Sequence, residues 1–349
     1  MTSVIGCAVP AANKPLAPFS FNRRELGEYD VLIEINYCGV CHSDIHKVRN
    51  EWGGSIFPIV PGHEIVGIIS AVGTHAKKYQ IGDKVGVGCM VDSCRRCNNC
   101  RENLEQYCDE GATLTYGSVS RDGSEITQGG YSSHIVVDEN FVLRLPEKLP
   151  MAETAPLLCA GITLYSPLKH WKAGPGKKVA IVGLGGLGHM GVKIASAMGA
   201  EVSVLSHSNR KQEDALRMGA AHFYNTANGS TLSSLNNRFD LIINTVSAEI
   251  DWNAYLRLLK RDGTMVVVGL PEHSIAVSAF SLILGRHRLA GSVIGGIQET
   301  QEMLDFCGQH QITADIELIP TTQINDAFTR VVNSDVRYRF VIDMKTLSL

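Results

Sequence analysis

The middle of the chain carries short, almost unbroken apolar runs: VAIVG (179–183), EVSVLS (201–206), FDLIINTV (239–246) and GTMVVVGL (263–270). Each is too short for a helix and too uniformly apolar for a strand with one wet face, so each reads as a strand buried on both sides. Stretches with helical spacing, such as WNAYLRLLKR (252–261), separate them, and HRLAGSVIGG (287–296) adds one more strand. This rhythm predicts an α/β domain built on a doubly wound parallel sheet. Residues 1–150 have another pattern, with short β segments (DVLIEINYCGV, EIVGIISAVG, DKVGVGC, YSSHIVV) between Gly and Pro turns. Past residue 296, QETQEMLDFCGQHQI, IELIP and RYRFVID return to mixed helix and strand. The expected layout is a sheet domain at 154–295, inserted into a β-rich domain formed by 1–153 and 296–349.

Composition narrows the class. The 349 residues are 44% hydrophobic and 19% charged, with a formal net charge of −3 and no block of like charge. That is globular composition without the basic footprint of a nucleic-acid binder or a membrane-surface patch. The start, MTSVIGCAVPAANKPLAPFS, has no basic segment leading into an apolar run, and residues 179–192 are too short to span a bilayer. The expected location is the cytoplasm, where thiols stay reduced and ten cysteines point to metal or catalysis rather than to disulfides.

Four of those cysteines sit in CRRCNNCRENLEQYC (94–108), at Cys94, Cys97, Cys100 and Cys108. An iron–sulfur reading meets a last gap of seven residues where a ferredoxin run has three. Three close thiols with a fourth returning from a short helical turn suit tetrahedral zinc, with Arg95, Arg96 and Arg101 offsetting the charge. Four thiolates leave no open coordination position, so such a site is structural. A second set begins with Cys41 in YCGVCHSDIH and His63 in PGHEIVG, a thiolate and an imidazole that both suit zinc. A catalytic ion needs a third ligand. Cys159 in APLLCAGIT is a candidate, though spacing alone does not separate it from Cys7, Cys38, Cys89 or Cys307, which also read as small buried hydrophobes.

Strand VAIVG runs into GLGGLG and then a helix, the context a dinucleotide fingerprint requires. Gly183 permits the tight turn, Gly185 lets backbone approach a pyrophosphate together with Gly186 and Leu187, and Gly188 lets helix pack on strand. The second strand ends in SHSNRK rather than in the acid of an NAD-selective fold. Ser206, Ser208, Arg210 and Lys211 are suited to receive a 2′-phosphate, so the expected cofactor is NADP.

GVCHSDIH, PGHEIVG, the four-cysteine run, APLLCAGIT, GLGGLGHMGVK, GSVIGGIQETQEMLDF and VRYRFVID resemble the zinc-dependent medium-chain alcohol dehydrogenases. The resemblance extends from about residue 25 to the end and is nearest to the cinnamyl-alcohol-dehydrogenase type, in its bacterial aldehyde-reductase branch. It implies a GroES-like catalytic domain, a Rossmann coenzyme domain and a cleft between them. It also implies two zinc ions per chain: a structural one on the four-cysteine run, and a catalytic one on Cys41, His63 and Cys159 with Glu64 close by. A proton relay is implied at Ser43 and His46, with Asp44 binding the other nitrogen of His63. Thr163 and the backbone at Val268, Gly269, Leu270 and Ile294 are expected at the nicotinamide. Trp52, Met90 and Tyr116, with Leu270 and Ile294, are apolar candidates for the substrate pocket.

The expected reaction is hydride transfer between NADPH and aromatic or medium-chain aldehydes, in a homodimer joined along HRLAGSVIGG. The alternatives are a catalytically silent nucleotide binder on the same fold, a zinc-ribbon nucleic-acid binder, and a zinc-free quinone-reductase relative. Intact Cys41, Ser43, His46, His63 and Cys159 argue against the first, the net charge against the second, and two metal-ligand sets against the third.

Overall fold

A computed structural model of the chain describes residues 2–348. The fold divides into two compact units, one running to Cys159 and resuming at Gly295, the other spanning Ala160–Ile294.

The first unit is built on a seven-stranded sheet. Strand Asp30–Gly39 lies near its centre, antiparallel to Ile65–Val72, to His134–Asp138 and to Arg339–Asp343. Lys84–Val87 and Leu143–Arg144 extend one side, and Ile316–Pro320 closes the other, parallel to Arg339–Asp343. The sheet is dense in β-branched residues, and Ile33, Ile65, Ile69, Leu143 and Phe340 form its dry core. The sequence-based boundary placed residues 154–159 in the inserted domain. The turn Ala155–Leu158 belongs to the first unit instead, because Leu157 and Leu158 are buried against this sheet. Helix Ile297–His310 shows the spacing expected of a half-buried helix, with Thr300, Met303, Leu304 and Cys307 inside. It ends at Gln311, whose φ of 55° closes the last turn.

The second unit is a six-stranded, all-parallel sheet. In space the strands run His222–Asn225, Glu201–Ser206, Lys178–Val182, Phe239–Asn244, Leu259–Val267 and Arg288–Gly291. Numbered along the chain this is the order 3-2-1-4-5-6 of a Rossmann sheet, with its switch point between Lys178–Val182 and Phe239–Asn244. Val179, Ala180, Ile181, Ile242 and Ile243 have no exposed surface, the reason these runs show no polar alternation. Among the described residues no helix is long and apolar enough to cross a membrane.

Phe239 is fully buried in the core of the second unit, packed with Leu205, Trp252, Tyr255 and Met265. Phe239→Ala removes most of a buried ring and is expected to cost about 3–5 kcal/mol. Leu216→Ala, at a position 46% exposed in the same unit, is expected to change stability by less than about 0.5 kcal/mol. Urea unfolding followed in both variants checks the contrast. Equal midpoints would show that this core does not limit the stability of the unit.

Candidate metal centres and dinucleotide loop

The four-cysteine run closes on itself. The sulfurs of Cys94, Cys97, Cys100 and Cys108 all lie within 4.8 Å of one another. Arg95, at φ 59°, makes the left-handed turn that starts the knuckle. Backbone N–H groups serve the sulfurs: Cys97 N–H on Cys94 at 3.3 Å, Cys100 N–H on Cys97 at 3.5 Å and Cys94 N–H on Cys108 at 3.4 Å. The backbone N–H of Arg96 holds the Cys94 thiol down, at about 6. Cys94 and Cys100 sulfurs are 3.8 Å apart, too far for a disulfide. One ion with sulfurs at about 2.3 Å in a tetrahedron sets them about 3.8 Å apart, so the donor set fits a single zinc. A multi-iron cluster would hold its cysteines farther apart. Two of the three arginines also have carboxylate partners. Arg95 pairs with Asp92 and Asp138 at 2.9 Å, and Arg96 with Glu110 at 2.8 Å. These carboxylates are the harder, better-matched partners for a guanidinium, and the thiolates rely on backbone donors.

The second cluster gathers three distant segments. Cys41 caps helix His42–Val48, His63 and Glu64 precede strand Ile65–Val72, and Cys159 follows the turn Ala155–Leu158. All four side chains are buried, with donor atoms within 4.8 Å of one another. Cys41 and Cys159 sulfurs lie 3.9 Å apart, again the edge of a tetrahedron about one ion. Their contact pulls the Cys41 thiol well below its usual range and pushes Cys159 well above. Two thiols and an imidazole make a three-ligand donor set that fits catalytic zinc.

Asp44 is fully buried, and its Oδ1 accepts from His63 Nδ1 at 3.1 Å, which leaves Nε2 for a metal. Ser43 Oγ lies 3.6 Å from Cys41 Sγ. His46 stacks between His42 and Trp52, with centroids 4.9 Å away on each side, and its Nδ1 faces Glu51 Oε2.

Glu64 is fully buried and ion-paired with Arg339 through one oxygen; its other oxygen, Oε2, has no partner among the described residues. Burial pushes the Glu64 carboxyl up to about 8, with Arg339 opposing. Gly39 is obligatory here, since a Cβ would stand 1.9 Å from Glu64 Oε2.

The substrate-pocket candidates separate. Trp52 is 48% exposed, but Met90 is buried, and Tyr116 is buried with its hydroxyl on Asp44 and its ring stacked on His63. Tyr116 therefore belongs to the support of His63, because a buried hydroxyl goes where an acceptor is. Cys89 departs from the buried-hydrophobe reading: it is half-buried and its thiol donates to the Leu158 carbonyl at 3.9 Å. Cys7, Cys38 and Cys307 are buried.

In the second unit the glycine loop has its own logic. Gly183 adopts φ 89°, and a Cβ on Gly188 would stand 2.1 Å from the Gly183 carbonyl oxygen. Nothing lies within 4 Å of the position a Cβ would take on Gly185, so bare backbone there faces open space. That is the cradle a pyrophosphate needs, beside the N-terminus of helix Gly188–Ala197. Gly186 and Leu187 complete the turn. Ser206 ends its strand, Ser208 precedes the turn Asn209–Lys211, and Arg210 is exposed. Lys211 Nζ donates to the Leu184 carbonyl at 3.0 Å, which ties this turn to the glycine loop. Thr163 is buried in helix Ala160–His170. Val268 and Gly269 N–H groups both donate to the Asn244 carbonyl at 3.0 Å, Leu270 is 59% exposed, and Ile294 has φ 36°.

Reading the sequence missed Arg339, Glu51 and Tyr131. Arg339 had a signal, a cation at the head of the apolar run RFVID (339–343). Glu51 and Tyr131 had none.

The fold and both sulfur clusters define a class, the metal-dependent dehydrogenases with a Rossmann unit. The model of the alcohol dehydrogenase GroES-like domain matches residues 27–147, and that of the zinc-binding dehydrogenases matches 186–309. The chain belongs to the zinc-dependent medium-chain alcohol dehydrogenases, in their cinnamyl-alcohol-dehydrogenase type. It is 58% identical to NADP-dependent alcohol dehydrogenase C of Mycobacterium tuberculosis, over 99% of this chain and 100% of that one. Aldehyde reductase YahK of Escherichia coli is 54% identical, over 97% of each chain. A cinnamyl alcohol dehydrogenase structure from Sorghum bicolor superposes with a TM-score of 0.96 at 44% identity, covering 99% of both chains.

Two ions per chain are expected by elemental analysis. Cys97→Ser is expected to lose one ion and to lower solubility, because structural metal binding is coupled to folding. Cys159→Ser is expected to lose the other ion and stay folded by circular dichroism. Iron in place of zinc, or equal unfolding of both variants, would contradict the division of roles.

Proposed function

We propose that this chain is an NADP(H)-dependent alcohol dehydrogenase and aldehyde reductase acting on aromatic and medium-chain aldehydes. The observation that carries this reading is the buried Cys41–His63–Cys159 cluster, with an Asp44-oriented imidazole and one unpartnered Glu64 oxygen beside it. Cys41, His63 and Cys159 would hold a zinc ion that polarises an aldehyde oxygen or acidifies an alcohol. NADPH supplies the hydride, chemistry that belongs to the cofactor.

The remaining work falls to the chain. Asp44 fixes the tautomer of His63, and Arg339 holds Glu64 through one oxygen and opposes the upward push of burial on its carboxyl. Ser43 would carry the substrate proton at Oγ, next to Cys41. His46, 27% exposed, would exchange it with water, while Glu51 at Nδ1 and the flanking rings of His42 and Trp52 fix its orientation. The half-exposed indole of Trp52 offers a flat apolar wall, which suits an aromatic substrate.

The cofactor choice rests on the end of strand Glu201–Ser206, where hydroxyls and cations stand in place of an acid. The NADP-dependent relative at 58% identity supports the same choice. The ten free cysteines suit a reducing compartment, and the proposed location is the cytoplasm.

A homodimer is proposed on the second unit. Its edge strand Arg288–Gly291 lies beyond Leu259–Val267 with no further strand beside it among the described residues, and helix Ala279–Ile283 with its C-cap Leu284 leaves Phe280, Ile283 and Leu284 at 72%, 67% and 83% exposure. A bare edge with exposed apolar residues nearby in the chain is where a second copy would pair. Light scattering at micromolar concentration is expected to give twice the chain mass, and Leu284→Glu to shift it towards the monomer. A wild-type monomer would end the dimer assignment.

Ser206→Asp would set a carboxylate against the 2′-phosphate and offer the NAD ribose an acceptor. Hydrogen bonds to charged groups contribute about 1.5–3 kcal/mol, so kcat/KM with NADPH is expected to fall at least about tenfold, with little loss for NADH. Arg210→Ala is expected to weaken NADPH selectively but less. Steady-state kinetics with both cofactors over an aldehyde panel decides it. Equal loss of both cofactors, or a wild type that uses NADH as well as NADPH, would overturn the NADP assignment.

A further inference from the structure

Five donors converge on one buried carboxylate. Asp44 Oδ1 accepts from the Tyr116 hydroxyl at 2.7 Å, from His63 Nδ1 at 3.1 Å and from the Gly62 N–H at 3.2 Å. Oδ2 accepts from the Cys41 N–H at 2.9 Å and from the Tyr131 hydroxyl at 3.1 Å. An ionised carboxylate offers about four lone-pair sites, so this one is saturated. The backbone donors belong to the segments that carry Cys41 and His63. The two hydroxyls come from elsewhere in the first unit. Tyr116 also covers one face of the His63 ring, with centroids 5.8 Å apart and planes at 27°.

We infer that Tyr116 and Tyr131 are positioning residues for the catalytic metal, their hydroxyls holding Asp44 in the orientation that aims His63 Nε2 at the ion. The inference rests on the ligand set assigned above. Without the hydroxyls, Oδ2 keeps one backbone donor, and Oδ1 keeps His63 and the longer bond from Gly62. The carboxylate could then turn about its Cβ–Cγ bond. Asp44 and Tyr131 have no exposed surface, so water has no open route to replace a lost donor. Carboxylates behind a histidine ligand commonly change metal affinity about 10- to 100-fold when altered, and a group one bond further out belongs at the lower end of that range. Tyr116 should outweigh Tyr131, since its bond is shorter and falls on the oxygen that faces His63.

The test follows metal release. Zinc-loaded chains are challenged with dipicolinate, and the two ions are distinguished by their release rates. Tyr116→Phe keeps the ring stack and loses only the hydroxyl. It is expected to release the catalytic ion about tenfold faster than wild type, with Tyr131→Phe showing a smaller increase. The four-thiolate ion should leave at the wild-type rate in both. With cobalt in the catalytic site, the visible absorption bands should shift in Tyr116→Phe, a change that lost packing elsewhere would not cause. Wild-type release rates and unshifted cobalt bands in both variants would overturn the inference. Faster loss of both ions together would also overturn it, since that reports general loosening. If Tyr116→Phe does not fold, Tyr131→Phe alone decides between the same outcomes. A wild-type chain holding one ion, or a Cys159→Ser chain retaining two, defeats the ligand assignment itself and is read before the tyrosines are compared.

Discussion

A single buried carboxylate organises the reactive half of the first unit. Asp44 holds the Cys41 N–H, the Gly62 N–H and the His63 ring at once, so the segment after strand Asp30–Gly39 and the segment before its neighbour Ile65–Val72 are locked to one side chain. Removing such an acceptor would leave several donors unpaired in a dry site, each with its own desolvation cost. A metal site needs its ligands fixed before the ion arrives, and this network is what fixes two of them.

The two sulfur clusters show different solutions to the same problem. The knuckle at 94–108 is local: a left-handed residue, a short helix and a set of backbone N–H groups bring four sulfurs together with little help from the sheet. Its surrounding arginines neutralise neighbouring carboxylates and stay out of the ion's coordination. The Cys41–His63–Cys159 cluster is assembled by strands far apart in the chain. It therefore depends on the whole core and carries a buried counter-charge, Arg339, which lies 275 positions from its partner Glu64. Burying one of these charges without the other would be strongly unfavourable, so the pair is best understood as one unit.

That pairing also explains why Glu64 keeps a spare oxygen in the interior. Arg339 takes Oε1 and leaves Oε2 without a partner among the described residues, while Gly39 clears the space it occupies. The carboxylate is held by one bond and free at the other oxygen. A group that exchanges contacts with a metal needs that arrangement, and a fully bonded carboxylate would have no capacity to do so.

Much of the molecule was legible along the chain because the relevant signals are short-range. The strand–glycine–helix motif, the apolar runs of a doubly covered parallel sheet and the spacing of Cys94, Cys97, Cys100 and Cys108 all act over a few residues, where backbone geometry is nearly decided by residue type. The absence of an acid after EVSVLS was equally readable. Other choices belonged to the tertiary structure. From sequence spacing, Cys159 could not be told from Cys89, and Tyr116 passed for a pocket wall until the fold put its hydroxyl on Asp44. Arg339 and Glu51 found their partners only when strands and turns had packed. Residue type limits what a side chain can bind, but which groups meet in a dry interior depends on strand register and burial, and those are properties of the folded chain.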